Sequence, residues 1–151
     1  MAFTIMTHPV YKAKESDSVG DAIDKLIKYG ISGMPVVNDH NEIVGFIRDG
    51  DILKIVGKHN LNVIDTGFFS THIFEELEPF GFRCDSLRQE NIMEISKRNI
   101  IKVQWDTDIE EISTILGRKR IKEVPVERNG VLVGIISRSD LIRHIYSEKL
   151  A

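Results

Sequence analysis

The chain is written twice, and no other feature limits its fold as much. Residues 16–37, SDSVGDAIDKLIKYGISGMPVV, return as residues 106–127, DTDIEEISTILGRKRIKEVPVE. Val19 falls on Ile109, Leu26 on Leu116, Ile31 on Ile121 and Pro35 on Pro125, all at an offset of 90. Residues 42–56, EIVGFIRDGDILKIV, return as residues 131–145, VLVGIISRSDLIRHI, with Gly45 on Gly134 and Asp51 on Asp140 at an offset of 89. The change of one residue lies between NDHN and RNG, turn compositions in which a shorter hairpin loop absorbs it.

Each copy predicts the same elements. Val19, Ile23, Leu26 and Ile27 recur at helical spacing, as do Ile109, Ile112, Ile115 and Leu116. MPVV or VPVE then reads as a strand, followed by a turn and by EIVGFI or VLVGII, which together make a hairpin. A second helix begins near Asp51 or Asp140. The leading segments PVYKAK and NIIKVQ add a further strand each. The expected fold is α/β (α+β), two β-α-β-β-α repeats. One such unit has too small an interior to stand alone, so the two pack through their sheets with pseudo-twofold symmetry, leaving two equivalent clefts. The expected domains are residues 1–56, a connecting insertion at 57–91, and residues 92–151.

Composition narrows the function. The 151 residues are 42% hydrophobic, enough for a real core, and the formal charge of −3 argues against a nucleic-acid face. A single cysteine, Cys84, allows no internal disulfide and fits a reducing cytoplasm. The sequence holds no apolar run of membrane-spanning length.

The stretch GIISRSDLIRHI, residues 134–145, holds the sharpest local signal. Ser137 and Asp140 fit the S/T-x-x-D/E capping box, in which each side chain satisfies backbone N–H groups left free at a helix start. The same helix start, with its positive dipole end, also suits an anionic or hydroxyl-rich ligand.

A strand-helix-strand-strand-helix repeat with h-P-V-V before the hairpin and G-h-h-S/T-x-S-D after it resembles the CBS domain, whose tandem pairs form the Bateman module. The resemblance covers residues 5–56 and 92–146, with IMTHP opening one copy and IMEIS the other. It implies an adenosine-containing ligand in the clefts between repeats. By matching position, Asp140 accepts from the ribose hydroxyls, while Ser137 and Ser139, with Arg138 beside them, face phosphate. Adenine would lie against Val10 and Tyr11 and against Ile31, Ser32 and Gly33. For Val10 and Ile31 plain core packing is an equal alternative.

The second cleft departs from the pattern. Its ribose position is Asp51, but Arg48 and Gly50 stand where the serines should be, and the matching shelf is Ile100, Ile101, Ile121, Lys122 and Glu123. Arg48 and Lys122 offer charge to phosphate, with solvated surface an equal alternative, and Glu123, standing where the first cleft has Gly33, opposes it; Arg120 is a further candidate phosphate partner. One good site and one weaker site are expected.

The expected function is a regulatory module, not an enzyme, that senses AMP, ADP or ATP and signals as a homodimer to a separate effector protein. The adenine nucleotide is its regulatory ligand, and neither a further cofactor nor a metal is required. Rival readings are a ligand-free dimerisation module, or a sensor of S-adenosylmethionine or a cyclic dinucleotide. His8, His40, His59, His72 and His144 have no metal-site spacing, and no histidine is placed to activate Ser137. The insertion holds five of the seven phenylalanines, Phe68, Phe69, Phe74, Phe80 and Phe82. It reads as a linker with its own small core, the alternative being a partner or dimer surface or a lid over a cleft, with Ser70 capping a helix that Pro79 and Gly81 end and Asp85 or Ser86 starting another.

Overall fold

A computed structural model describes residues 1–57 and 79–150, with side chains through Ser147. The expectations for Ser70, Phe68, Phe69 and Phe74, and for His59 and His72, lie outside these residues.

Each repeat forms a three-stranded sheet and two helices. In the first, β1 (Ala13–Lys14) leads through α1 (Val19–Tyr29) to the hairpin β2 (Gly33–Val37) and β3 (Ile43–Arg48), and then to α2 (Asp49–Val56). After α3 (Phe80–Gln89), the second repeats the plan with β4 (Val103–Gln104), α4 (Ile109–Arg118), β5 (Glu123–Arg128), β6 (Val131–Ser137) and α5 (Arg138–Leu150). The strand orders are β1-β2-β3 and β4-β5-β6, the first pair parallel and the second antiparallel in both sheets. Even the irregularities match: register shifts fall at Val36/Val37 and at Val126/Glu127.

Local chemistry sets these boundaries. Ser18 caps α1 in a full capping box with Asp21, and Gly30 ends the helix in the left-handed region at φ 61°. Asp108 caps α4 through the Glu111 N–H. The shorter hairpin turns on Asn129 and Gly130, at φ 53° and 80°, the two-residue geometry that matches strand twist. The longer one holds Asn41 at φ 60°.

The repeats exchange their leading turns. Residues Ala2–Thr4 form a 3-10 turn whose Ala2 and Phe3 N–H groups donate to the carbonyls of Thr107 and Trp105 in the second repeat. Ala2 is fully buried there, among Val103, Ile112, Leu116, Val124, Val126, Ile136 and Leu141. The equivalent turn Ile92–Glu94 docks on the first repeat, where Ile92 N–H donates to Asp17 O. Ile92 joins Ala13, Ala22, Leu26, Met34, Val36 and Ile47. The two turns match at the offset of 90, so Ala2 and Ile92 are equivalent. This corrects the pairing of IMTHP with IMEIS, a short apolar likeness three residues out of register. Bridges Thr7↔Ile135 and Phe46↔Lys97 continue the exchange on both sides. Near the pseudo-twofold axis, Leu132 N–H donates to Asn41 O, and Val37, Ile43 and Leu132 pack with Val10 and Ile100. Neither lobe closes without the other's leading turn.

In the connecting segment, Pro79 directly precedes α3, and Gly81 lies inside α3 rather than ending a helix, as Asp85 and Ser86 do rather than starting one. Proline at a helix start loses no intrahelical bond, because the first N–H groups have no partner there. Phe80 and Phe82 are exposed at 60% and 57%, so these two do not form the expected small core. Leu87 does, against Val19 and Val56, with Cys84 at its edge.

Candidate functional site

Both second helices of the repeats start with a carboxylate that accepts the N–H three residues before it. Asp140 Oδ2 accepts the Ser137 N–H at 2.9 Å, and Ser137 Oγ accepts the Asp140 N–H at 3.1 Å. In the first repeat, Asp51 Oδ2 accepts the Arg48 N–H at 3.0 Å. The cap is therefore real, and it holds a mostly buried carboxylate, 17% exposed at Asp140, at the start of α5. Asp140 Oδ1 faces Arg143 at 3.4 Å. Ser137 and Ser139 share a hydroxyl–hydroxyl contact of 2.9 Å, so both hydroxyls stand together at the α5 start.

Not every residue of the motif faces the same way. Arg138 donates to the carbonyls of Leu116 and Lys119 at 3.1 Å each, which commits its guanidinium to the end of α4. A helix C-terminus, with free carbonyls and a negative dipole end, competes well for it. Arg143 takes the place by the carboxylate, and its spacing three residues beyond Asp140 is the signal that predicts it.

The adenine positions of the first cleft are half-shared with the core. Val10 and Ile31 are each partly buried against core residues, with part of each surface left over. Tyr11 is half exposed and stacks on Tyr29, ring centres 4.0 Å apart and 15° from parallel. Gly33 is buried, and its missing side chain is used by the fold itself. A Cβ there would stand 2.9 Å from Phe46 Cε1 and 3.0 Å from Ile47 O. Ser32 O accepts the Asp49 N–H at 2.8 Å, as Lys122 O accepts the Arg138 N–H at 2.9 Å. Each shelf is thus tied to the helix start of its own repeat.

The second cleft contains two adjoining cavities. One, of about 190 Å³, has Ile100, Ile101 and Ile121 as an apolar wall, with Pro125, Phe46 and Lys97 around it. Arg48 and Glu123 also line it, and they form an ion pair of 3.1 Å. Arg48 is therefore already matched by a carboxylate. The second cavity, about 320 Å³, is lined by Ser32, Gly50, Asp49 and Asp51 and by Arg48, Lys54, Lys97, Arg120 and Lys122. Lys54 and Lys97 were not among the expected cations. Lys54 is three residues beyond Asp51, the same spacing as Arg143 from Asp140. No group of three or more metal-ligating side chains occurs among the described residues, and none of their helices is long and apolar enough to cross a membrane.

The CBS-domain family model matches residues 2–58 and 92–147, the two repeats with their leading turns. The chain belongs to the CBS-domain family. This CBS pair is 30% identical over 146 residues to protein MJ1426 of Methanocaldococcus jannaschii, covering 91% of this chain and 86% of that one. It is 26% identical over 140 residues to the chloroplastic CBS protein CBSX2 of Arabidopsis thaliana, covering 89% of this chain and 58% of that one. The structure of CBSX2 in complex with AMP shares the fold, with a TM-score of 0.74 at 23% identity, covering 98% of this chain and 97% of that one. So does the CBS domain pair of protein MJ0100 in complex with 5′-methylthioadenosine and S-adenosyl-L-methionine, with a TM-score of 0.70 at 23% identity, covering 98% of this chain and 97% of that one.

Proposed function

We propose that this CBS pair is a regulatory module that binds an adenosine-containing ligand between its repeats. The observation that carries this reading is the duplicated helix-start carboxylate, Asp140 and Asp51, each fixed by a backbone N–H, with Asp51 lining the larger cavity of the second cleft. Such a carboxylate keeps acceptor capacity for the two hydroxyls of a ribose, and charge-assisted bonds are the strong ones. In the first cleft Ser137 and Ser139 serve phosphate, with Val10, Tyr11, Ile31 and Ser32 on the adenine side. In the second, Ile100, Ile101 and Ile121 form the base wall, and Lys122, Lys97 and Arg120 supply charge. The AMP complex of CBSX2 and the S-adenosylmethionine complex of MJ0100 support both ligand types for this fold.

The module acts by population shift, since a ligand biases only a change to which it binds differentially. A homodimer through the helices supplies that change. Ile27, Leu53, Ile142 and Tyr146 are more than half exposed on α1, α2 and α5. Occupancy is passed to a separate effector in a reducing, cytoplasmic setting that suits the single Cys84.

Thermal unfolding with AMP, ATP, 5′-methylthioadenosine and S-adenosylmethionine tests the reading. At 100 times its dissociation constant a ligand adds about 2.7 kcal/mol, a rise of roughly 5–10 °C for a chain this size. A rise with one of these ligands that disappears in Asp140→Ala supports the proposal. No rise with any of them returns Ser137 and Asp140 to capping alone.

A further inference from the structure

The two clefts differ at one pair of positions. The hairpin registers set Gly33 opposite Arg48 in the first repeat and Glu123 opposite Ser137 in the second. Across the pseudo-twofold, Arg48 and Glu123 meet at 3.1 Å, whereas the equivalent positions of the other cleft are Ser137 and Gly33. One cleft is spanned by an ion pair where the other has a hydroxyl and no side chain.

Both partners are held. The Arg48 guanidinium lies 4.5 Å from the Phe46 ring centre, and the Arg48 and Glu123 side chains are 24% and 18% exposed. Burial pushes the Glu123 carboxyl above its usual range, and Arg48 is the main influence that offsets this. A half-buried carboxylate and guanidinium left apart would each be poorly solvated, so the pair is closed at rest. Just outside it, Lys54, Lys97, Arg120 and Lys122 line the cavity of about 320 Å³. None of these four has an ion-pair partner among the described residues. They come from both repeats, and the two carboxylates beside them, Asp49 and Asp51, do not balance them.

We propose that Glu123 is a built-in counter-anion of the second cleft, occupying at Arg48 the place of a ligand's phosphate, so that a polyphosphate-bearing ligand enters only by displacing it. The four outer cations draw the polyphosphate in, and Arg48 exchanges one anion for another. The released carboxylate stays beside Lys122, its next favourable neighbour. The second cleft therefore fills at a higher ligand concentration than its cations alone would set, and the two clefts answer in sequence. This rests on the reading of the clefts as ligand sites.

Calorimetric titration of inorganic tripolyphosphate and of ATP into the native protein, Glu123→Gln and Arg48→Ala tests it. Glu123→Gln, isosteric and uncharged, is expected to bind tripolyphosphate about tenfold tighter at low salt. Arg48→Ala in the Glu123→Gln background is expected to abolish that gain. Glu123→Ala, which removes the carboxylate and keeps Arg48, is expected to show the same gain and checks the result should Glu123→Gln disturb folding. Equal tripolyphosphate affinity in native protein and Glu123→Gln overturns the proposal, whatever ATP does. Because tripolyphosphate carries no nucleoside, a gain with it while AMP, ATP, 5′-methylthioadenosine and S-adenosylmethionine all fail to bind supports the counter-anion and overturns the adenosine reading alone.

Discussion

Met6 fills the space that Gly134 leaves empty: a Cβ on Gly134 would stand 2.7 Å from Met6 Cγ and 2.8 Å from Met6 Cβ. This contact joins the exchanged leading turn of the first repeat to the central hairpin of the second. Gly134→Ala should cost about 1–3 kcal/mol, the usual range for forced overpacking. The equivalent Gly45→Ala should cost less, because its nearest neighbours, Lys97 O and Ser96 Cβ, are 3.3 Å away. Urea unfolding measures both. Met6→Ala should relieve Gly134→Ala in a double-mutant cycle, a non-additivity that neighbours in contact produce.

The exchange also predicts where a core lesion is felt. Ile92 follows the connecting segment in sequence but is fully buried in the first lobe. Ile92→Ala should destabilise the chain by about 2–5 kcal/mol. Hydrogen exchange in this variant should quicken first in α1 and β2, which it packs against, rather than in α4 and β5.

Asp140 has two separable duties. Asp140→Ala removes the acceptor of the Ser137 N–H and should cost about 0.5–2 kcal/mol as a lost cap, with ligand binding lost as well. Asp21→Ala removes the matching cap of α1. It should lower stability and leave ligand affinity unchanged, since Asp21 is not at a cleft. Parallel unfolding and binding curves distinguish the two.

Glu123 and Asp21 respond to pH with opposite sign. Burial, partly offset by Arg48 and Lys122 and reinforced by Asp140, raises the Glu123 carboxyl above 4.5. The folded state then holds this proton more tightly than the unfolded chain, so the contribution of Glu123 is greatest at low pH and is lost as pH rises through its raised value. Hydrogen bonds from the Ser18 backbone and hydroxyl lower Asp21 below 3.8, so its contribution is present above that value and is lost as pH falls. The stability of Glu123→Gln relative to native protein should therefore improve between about pH 4 and pH 7. Denaturant midpoints across that range measure it, and a flat difference would contradict the assignment.

What the sequence reveals is what is local to one repeat. The capping box at Ser137 and the hairpin turns of NDHN and RNG are set by neighbours within a few residues. Pairings across the pseudo-twofold are not: Arg48 and Glu123 are 75 residues apart, and no spacing in either repeat brings the two together. The exchange of leading turns was hidden because Ala2 and Ile92 share neither size nor shape. The direction of Arg138 depends on carbonyls at the end of a different helix, which no spacing within its own motif reports.

Hydrogen–deuterium exchange of the native chain with and without saturating AMP tests the central claim most directly. Occupancy of the first cleft predicts slowed exchange together at residues 31–33 and 137–141, from opposite repeats, with α3 unchanged. Exchange that is unaltered at both segments, or slowed only on the exposed helical faces, would contradict an adenosine ligand held between the repeats.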